Sequence, residues 1–130
     1  MKQMSKGFTV IEIILVALIA GFAGVLFFMQ NNTMQTVADD NTRKTAINAM
    51  YYSLEKVFYA KNSYYPQSIS SENLTSVDPL LFKDPNGNGI NTNNGDYTYT
   101  PSGCENSQCK EYQLKATLEN EADYIKTNKN

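Results

Sequence analysis

Residues 8–29 form an apolar run of 22 residues in which only Thr9 and Glu12 carry polar side chains. At a rise of about 1.5 Å per residue, a helix of this length covers about 33 Å, enough to cross the hydrocarbon core of a bilayer. The residues before it, Met1-Lys2-Gln3-Met4-Ser5-Lys6-Gly7, include two lysines and no acid. A secretory signal would place a small-residue cleavage site after a shorter apolar core, whereas here the break from polar to apolar precedes the whole run. Lysines on this flank keep it cytoplasmic and send residues 30–130 to the opposite side.

The length of 130 residues suits one modest domain. Much of the 42% hydrophobic content sits in the apolar run, so the remainder is a polar head. A net charge of −2 argues against a broad nucleic-acid surface. The chain has no histidine, which removes the commonest general base and metal ligand. The sequence offers no nucleophile with a paired base and no phosphate-cradling loop, so it argues against an enzyme.

Glu12 is out of place in an apolar helix, and carboxylates in such positions usually have a partner. Two readings stand. The side chain snorkels to lipid headgroups, or it pairs with an ammonium. Cleavage between Gly7 and Phe8 would create that ammonium at Phe8, four residues away and near the same helical face. A neighbouring subunit displaced along the axis could then bring its own ammonium to this carboxylate.

The stretch Gly7-Phe8-Thr9-Val10-Ile11-Glu12, behind a short basic leader, resembles the cleavage motif of type IV prepilins. The resemblance implies removal of residues 1–7 by a membrane aspartic prepilin peptidase, N-methylation of Phe8, and a role for Glu12 in subunit assembly. It also implies an assembly ATPase and a platform protein as partners, with membrane lipid holding the subunit before assembly. The chain departs from many pilins in having no proline between Phe8 and Lys61. Gly21 and Gly24 either loosen the helix in its place or serve as small-residue packing points.

Beyond the wholly polar collar Gln30-Asn31-Asn32-Thr33, neither proline nor glycine interrupts the chain as far as Lys61. Apolar residues recur at helical spacing through Met34, Val37, Ala38, Ile47, Met50 and Leu54. This places Asp40, Lys44, Ser53, Glu55 and Lys56 on the outward face. The expected organisation is a leader (1–7), a membrane or filament-core helix (8–29), an amphipathic helix (30–61) and an extracytoplasmic head (62–130). Two Asn-x-Thr triplets, at Asn31 and Asn73, match glycosylation acceptors, a pattern common by chance.

In the head, residues 62–77 read as a connecting loop, and residues 84–96, with three Asn-Gly pairs, as a dense turn region. Alternation over 97–100 and 112–119 predicts two antiparallel strands, with Tyr112, Leu114, Ala116 and Leu118 facing the helix. The expected fold class is α+β: a long N-terminal helix, membrane-spanning in its first half, with a small antiparallel sheet packed on its second half. Cys104 and Cys109 fall in the connection between the strands, and an oxidising compartment favours a disulfide over half of a zinc site.

Asp84-x-Asn86-x-Asn88-Gly89 matches the opening of a calcium loop, with Asp96 the nearest further acid. Where an EF-hand would place a bidentate Glu this chain has Gly95, and a plain turn cluster is the commoner outcome. The order of Asp-Pro turn, tyrosine strand and final strand resembles major pseudopilins and related Gram-positive pilins, with residues 89–96 as an insertion.

These features together describe a homo-oligomeric filament subunit, made as a single-pass membrane precursor and exported to a periplasmic or extracellular fibre. A type IV pilus is the first reading. A pseudopilus of type II secretion, a DNA-uptake filament and a membrane-anchored binding domain that never polymerises are the alternatives.

Overall fold

The computed structural model describes residues 7–130, so the leader expectation for residues 1–6 lies outside the described residues. The elements follow in the order α1 (Val10–Tyr52), a π-helical turn (Ser53–Phe58), α2 (Tyr59–Asn62), β1 (Tyr65–Pro66), a 3-10 turn (Pro79–Phe82), β2 (Tyr97–Ser102), β3 (Gln108–Cys109), β4 (Glu111–Ala116) and β5 (Tyr124–Thr127). The fold is α+β. The chain divides into two compact units, Met1–Gln35 and Thr36–Asn130, so residues 30–35 belong with the apolar helix and the rest of the helical segment belongs with the head.

In the first unit, α1 starts at Val10 because Thr9 caps it, and a long run without proline sustains it. Its apolar side chains are exposed on every side, from Val10 at 75% to Leu26 at 54%. Among the described residues, this is the one helix long and apolar enough to cross a membrane.

In the second unit, Ala46, Ile47, Met50 and Leu54 form one core with Tyr97, Tyr99, Tyr112 and Leu114 of β2 and β4. Burial of each large aliphatic side chain contributes about 1.5–3 kcal/mol, and truncation of Ile47 or Leu54 to Ala would cost about 2–5 kcal/mol. The sheet has the order β2-β4-β5, all antiparallel, with Tyr99 opposite Leu114 and Lys115 opposite Ile125. Strict alternation buries Tyr112, Leu114 and Ala116 on one face of β4. Pro101 fits in β2 because β2 is an edge strand of this sheet. The outer side of β2 is closed by Asn91, whose side chain accepts from Tyr99 N and donates to Tyr99 O. A separate two-stranded ribbon pairs β1 with β3, setting Tyr65 opposite Cys109.

Three expectations need correction. Asp40, Ser53 and Glu55 are buried, at 2%, 1% and 7% exposure, rather than facing outward. Met34, Val37 and Ala38 are exposed instead of lying on the covered stripe. The covered face begins at Asp40, whose charge is met by Arg43, and the wide π turn brings Ser53, Leu54 and Glu55 inward in succession. The last strand is also shorter than 112–119. After Ala116 the backbone turns to hydrogen-bond Asp96, although Leu118 stays buried. β5, β1 and β3 carry too little apolar alternation to be expected from sequence.

The helical segment ends at Ser63, which adopts a left-handed conformation (φ 61°) and donates its N–H to Tyr59 O. Residues 67–78 contain no strand or helix and are held by buried Ile69, Leu74 and Val77. Of the Asn-Gly pairs, the first uses positive φ, at Gly87 (86°). Gly95 is required for a different reason: a Cβ there would lie 2.5 Å from Gly89 O.

Candidate functional site

Gly7 and Phe8 precede the helix, and Phe8 is 80% exposed. Thr9 and Glu12 form a reciprocal capping box. Thr9 N donates to Glu12 Oε2 at 2.7 Å, Thr9 Oγ1 donates to the same oxygen at 2.9 Å, and Glu12 N donates to Thr9 Oγ1 at 3.4 Å. This corrects the expectation that Glu12 finds a partner only after cleavage, because the side chain already satisfies orphan donors of its own helix end. A carboxylate at this end also favours the helix dipole. Further along, Ala17 with Gly21 and Ala20 with Gly24 stand one turn apart, and the space around both glycines is open.

In the head, Cys104 and Cys109 are joined by a disulfide. The turn they enclose carries Asn106 and Ser107 at φ 52° and 66°, closed by paired hydrogen bonds between Glu105 and Gln108. Cys109 is buried in the core, so the bond ties an exposed loop to β3.

The residues singled out for calcium come together only in part. Asp84 accepts from Asn88 N at 2.8 Å and Asp96 N at 3.0 Å, and Asn88 Nδ2 lies 3.3 Å away. The Asp96 carboxylate turns elsewhere, to Arg43 at 2.9 Å, and Asn86 is exposed. The oxygens that a cation would need are therefore aimed at N–H donors. Among the described residues, no group of three or more acids or cysteines is placed to hold a metal ion. Burial opposes ionisation of Asp84, but the N–H groups of Asp96 and Asn88 outweigh it and hold the carboxyl below its ordinary range.

Arg43, the sole arginine in the chain, organises this region. It is 1% exposed and pairs with Asp40, Asp96 and Glu119, each at 2.9 Å. Asp40 also accepts from Glu119 N and Asn120 N, both at 2.9 Å. Burial works against the charge of Asp40, yet these donors lower its pKa. Burial likewise works against Arg43, and Glu119 and Asp96 more than offset it. The hydroxyl of nearby Tyr97 is buried with no hydrogen-bond partner among the described residues. Burial pushes its pKa up to about 12, with the Asp84 charge adding to the shift.

A second buried cluster centres on Glu55. Tyr112 Oη donates to it at 2.8 Å, Tyr65 Oη at 3.1 Å and Asn130 Nδ2 at 3.1 Å. Burial and then the bond to Glu55 push the Tyr112 phenol far above its usual range. Asn73 has both ends of its amide engaged, accepting from Ser70 N and donating to Ser68 O at 2.7 Å, which opposes its use as a glycan acceptor.

No family model, curated protein or solved structure matches this chain. Sequence reasoning missed Arg43 and Glu55 as organising residues. The signals for the first were Asp40 and Arg43 at i, i+3 and the chain's single guanidinium, a group suited to buried carboxylate pairs. Nothing local marked Glu55.

Proposed function

We propose that this chain is the structural subunit of a type IV pilus or pilus-like filament. It is held in a membrane as a precursor and polymerises through its N-terminal helix. The observation that carries this reading is a helical segment apolar on all sides, exposed throughout, and headed by one carboxylate. A helix that is hydrophobic all round belongs in lipid or in a bundle of its own kind. Removal from lipid into a fibre core exchanges one apolar surrounding for another, so packing drives the step. The open backbone at Gly21 and Gly24 suits close helix approach.

On this reading a prepilin peptidase cuts after Gly7 and N-methylates Phe8, Glu12 takes a neighbour's ammonium, and a separate ATPase and platform protein supply the work of extraction. Whether the fibre is a pilus, a pseudopilus of secretion or a DNA-uptake filament turns on its partners. One observation favours the rival reading of an anchor that never polymerises: Glu12 is already satisfied by Thr9 within its own chain.

The test is the intact mass and N-terminal sequence of the protein isolated from its native membranes. A start at N-methylated Phe8 supports the filament subunit. A retained leader ending at Gly7 overturns it in favour of a tethered head.

A further inference from the structure

The dipeptide Asn-Gly occurs three times in the head, at Asn86-Gly87, Asn88-Gly89 and Asn94-Gly95. All three share one latent reaction. The glycine nitrogen, once hydroxide has taken its proton, attacks the asparagine Cγ, the bond from Cγ to the side-chain nitrogen breaks, and ammonia leaves. The product is a five-membered succinimide. Water opens this ring at either carbonyl, to aspartate or to isoaspartate, so the sum is one water consumed and one ammonia released. Glycine favours the attack because it sets no Cβ against the closing ring and rotates freely. Ring closure requires rotation about the asparagine Cα–C bond, which swings the asparagine C=O and the glycine N–H together.

The fold treats the three pairs differently. Asn88 Nδ2 donates to Asp84 Oδ2 at 3.3 Å and to Asn94 O at 3.1 Å, while Gly89 O accepts from Thr92 Oγ1 at 2.7 Å. Both halves of that pair are held. The Asn94 side chain is exposed, but its C=O is tied to Asn88 Nδ2, and Gly95 is packed so closely that a Cβ would stand 2.5 Å from Gly89 O. Asp96 N, the next donor along, is fixed on Asp84 Oδ2 at 3.0 Å. Asn86 is exposed, and neither its side-chain amide nor its C=O makes a hydrogen bond among the described residues. Gly87 stands at φ 86° with open space where a Cβ would be. One bond opposes the rotation there, from Gly87 N to Asp84 O at 2.9 Å.

We infer that Asn86 is a site of spontaneous conversion to aspartate and isoaspartate in the folded protein, and that the fold protects Asn88 and Asn94 from the same reaction. The inference is independent of the filament reading. Its consequence falls on Asp84. The turn is closed by Asp84 N on Asn88 O at 2.9 Å and by Asn88 N on Asp84 Oδ1 at 2.8 Å. Isoaspartate at position 86 lengthens the backbone inside that turn by one methylene and sets a new carboxylate two residues from the buried one. The same Asp84 carboxylate holds Asp96 N at the entry to β2, so conversion loosens the edge of the sheet as the protein ages.

The experiment uses full-length protein purified in mild detergent and aged in mildly alkaline buffer. Peptide mapping with electron-transfer fragmentation separates the three sites and distinguishes aspartate from isoaspartate. In the folded protein Asn86 should convert about tenfold faster than Asn88 or Asn94, the effect of about one hydrogen bond's worth of barrier at the other two. In urea the three rates should converge, since each asparagine precedes a glycine. Asn86→Gln should remove the early product and leave the dichroism of the folded protein unchanged, because closure from Gln needs a six-membered ring. Asn88 or Asn94 keeping pace with Asn86 in the folded protein would overturn the inference. So would an unchanged Asn86 over a period in which the urea-unfolded chain converts, because the single bond to Asp84 O would then be enough to hold the turn shut.

Discussion

Thr9 and Glu12 cap the same helix end reciprocally, each accepting a backbone N–H of the other. A capping box tolerates Gln in place of Glu, because the amide oxygen still accepts. Charge pairing with a neighbour's ammonium does not. In the filament reading, Glu12→Gln and Glu12→Ala should both be processed at Gly7 and both fail to build fibres. Full assembly by Glu12→Gln, with failure only of Glu12→Ala, would reduce Glu12 to a local cap.

Arg43 is the cation on which Asp40, Asp96 and Glu119 converge. Replacing it with Met leaves Asp40 buried without its counter-charge. Breaking a buried pair from one side costs about 3–5 kcal/mol, and the half-exposed Glu119 puts this case near the lower end. Urea unfolding followed by tyrosine dichroism should show a loss of about 3 kcal/mol, and a loss below about 1 kcal/mol would mean that water already screens the cluster.

Glu55→Ala removes the acceptor for the hydroxyls of Tyr65 and Tyr112, both nearly inaccessible to solvent. Each unsatisfied buried donor costs about 1–3 kcal/mol, so the variant should lose about 3 kcal/mol in the same assay. Glu55→Gln keeps one acceptor oxygen and should lose less.

The head should weaken at both extremes of pH. Asp40 and Asp84 titrate in the fold below their ordinary 3.8, so the folded state holds fewer protons than the unfolded one. Their contribution is present above 3.8 and is lost as pH falls through the depressed values. Tyr65 and Tyr97 are shifted the other way, from 10 to about 12, Tyr65 mainly by burial. Here the folded state keeps the proton longer, so stability is intact below pH 10 and falls as pH rises towards 12. Unfolding midpoints measured across pH should be flat between these limits, and a midpoint that rises from pH 10 to 12 would contradict the burial of these phenols.

The Cys104–Cys109 bond closes a short loop, for which the chain-entropy relation gives about 2 kcal/mol. The double Cys→Ser variant should lose that much and keep the fold of the α1–sheet core. Ser107→Gly should restore about 0.5–1 kcal/mol, because Ser107 holds a left-handed backbone that glycine adopts freely.

The features legible in the residues are those whose physics is local. The apolar run, the alternation at Tyr112, Leu114 and Ala116, and two cysteines five positions apart need only their neighbours to be understood. The sequence by itself thus determined the long helix, the buried face of β4 and the enclosed loop. The inward turn of Asp40 and Glu55 was decided by tertiary structure alone. A buried carboxylate is tolerated only where donors meet it, and those donors come from Glu119 and Asn120 for one and from Tyr112 and Asn130 for the other. These partners lie far along the chain, so helical spacing alone places both acids in water. The short strands β1, β3 and β5 follow the same rule: each is too brief to hold itself, and each exists because the fold brings it an antiparallel partner.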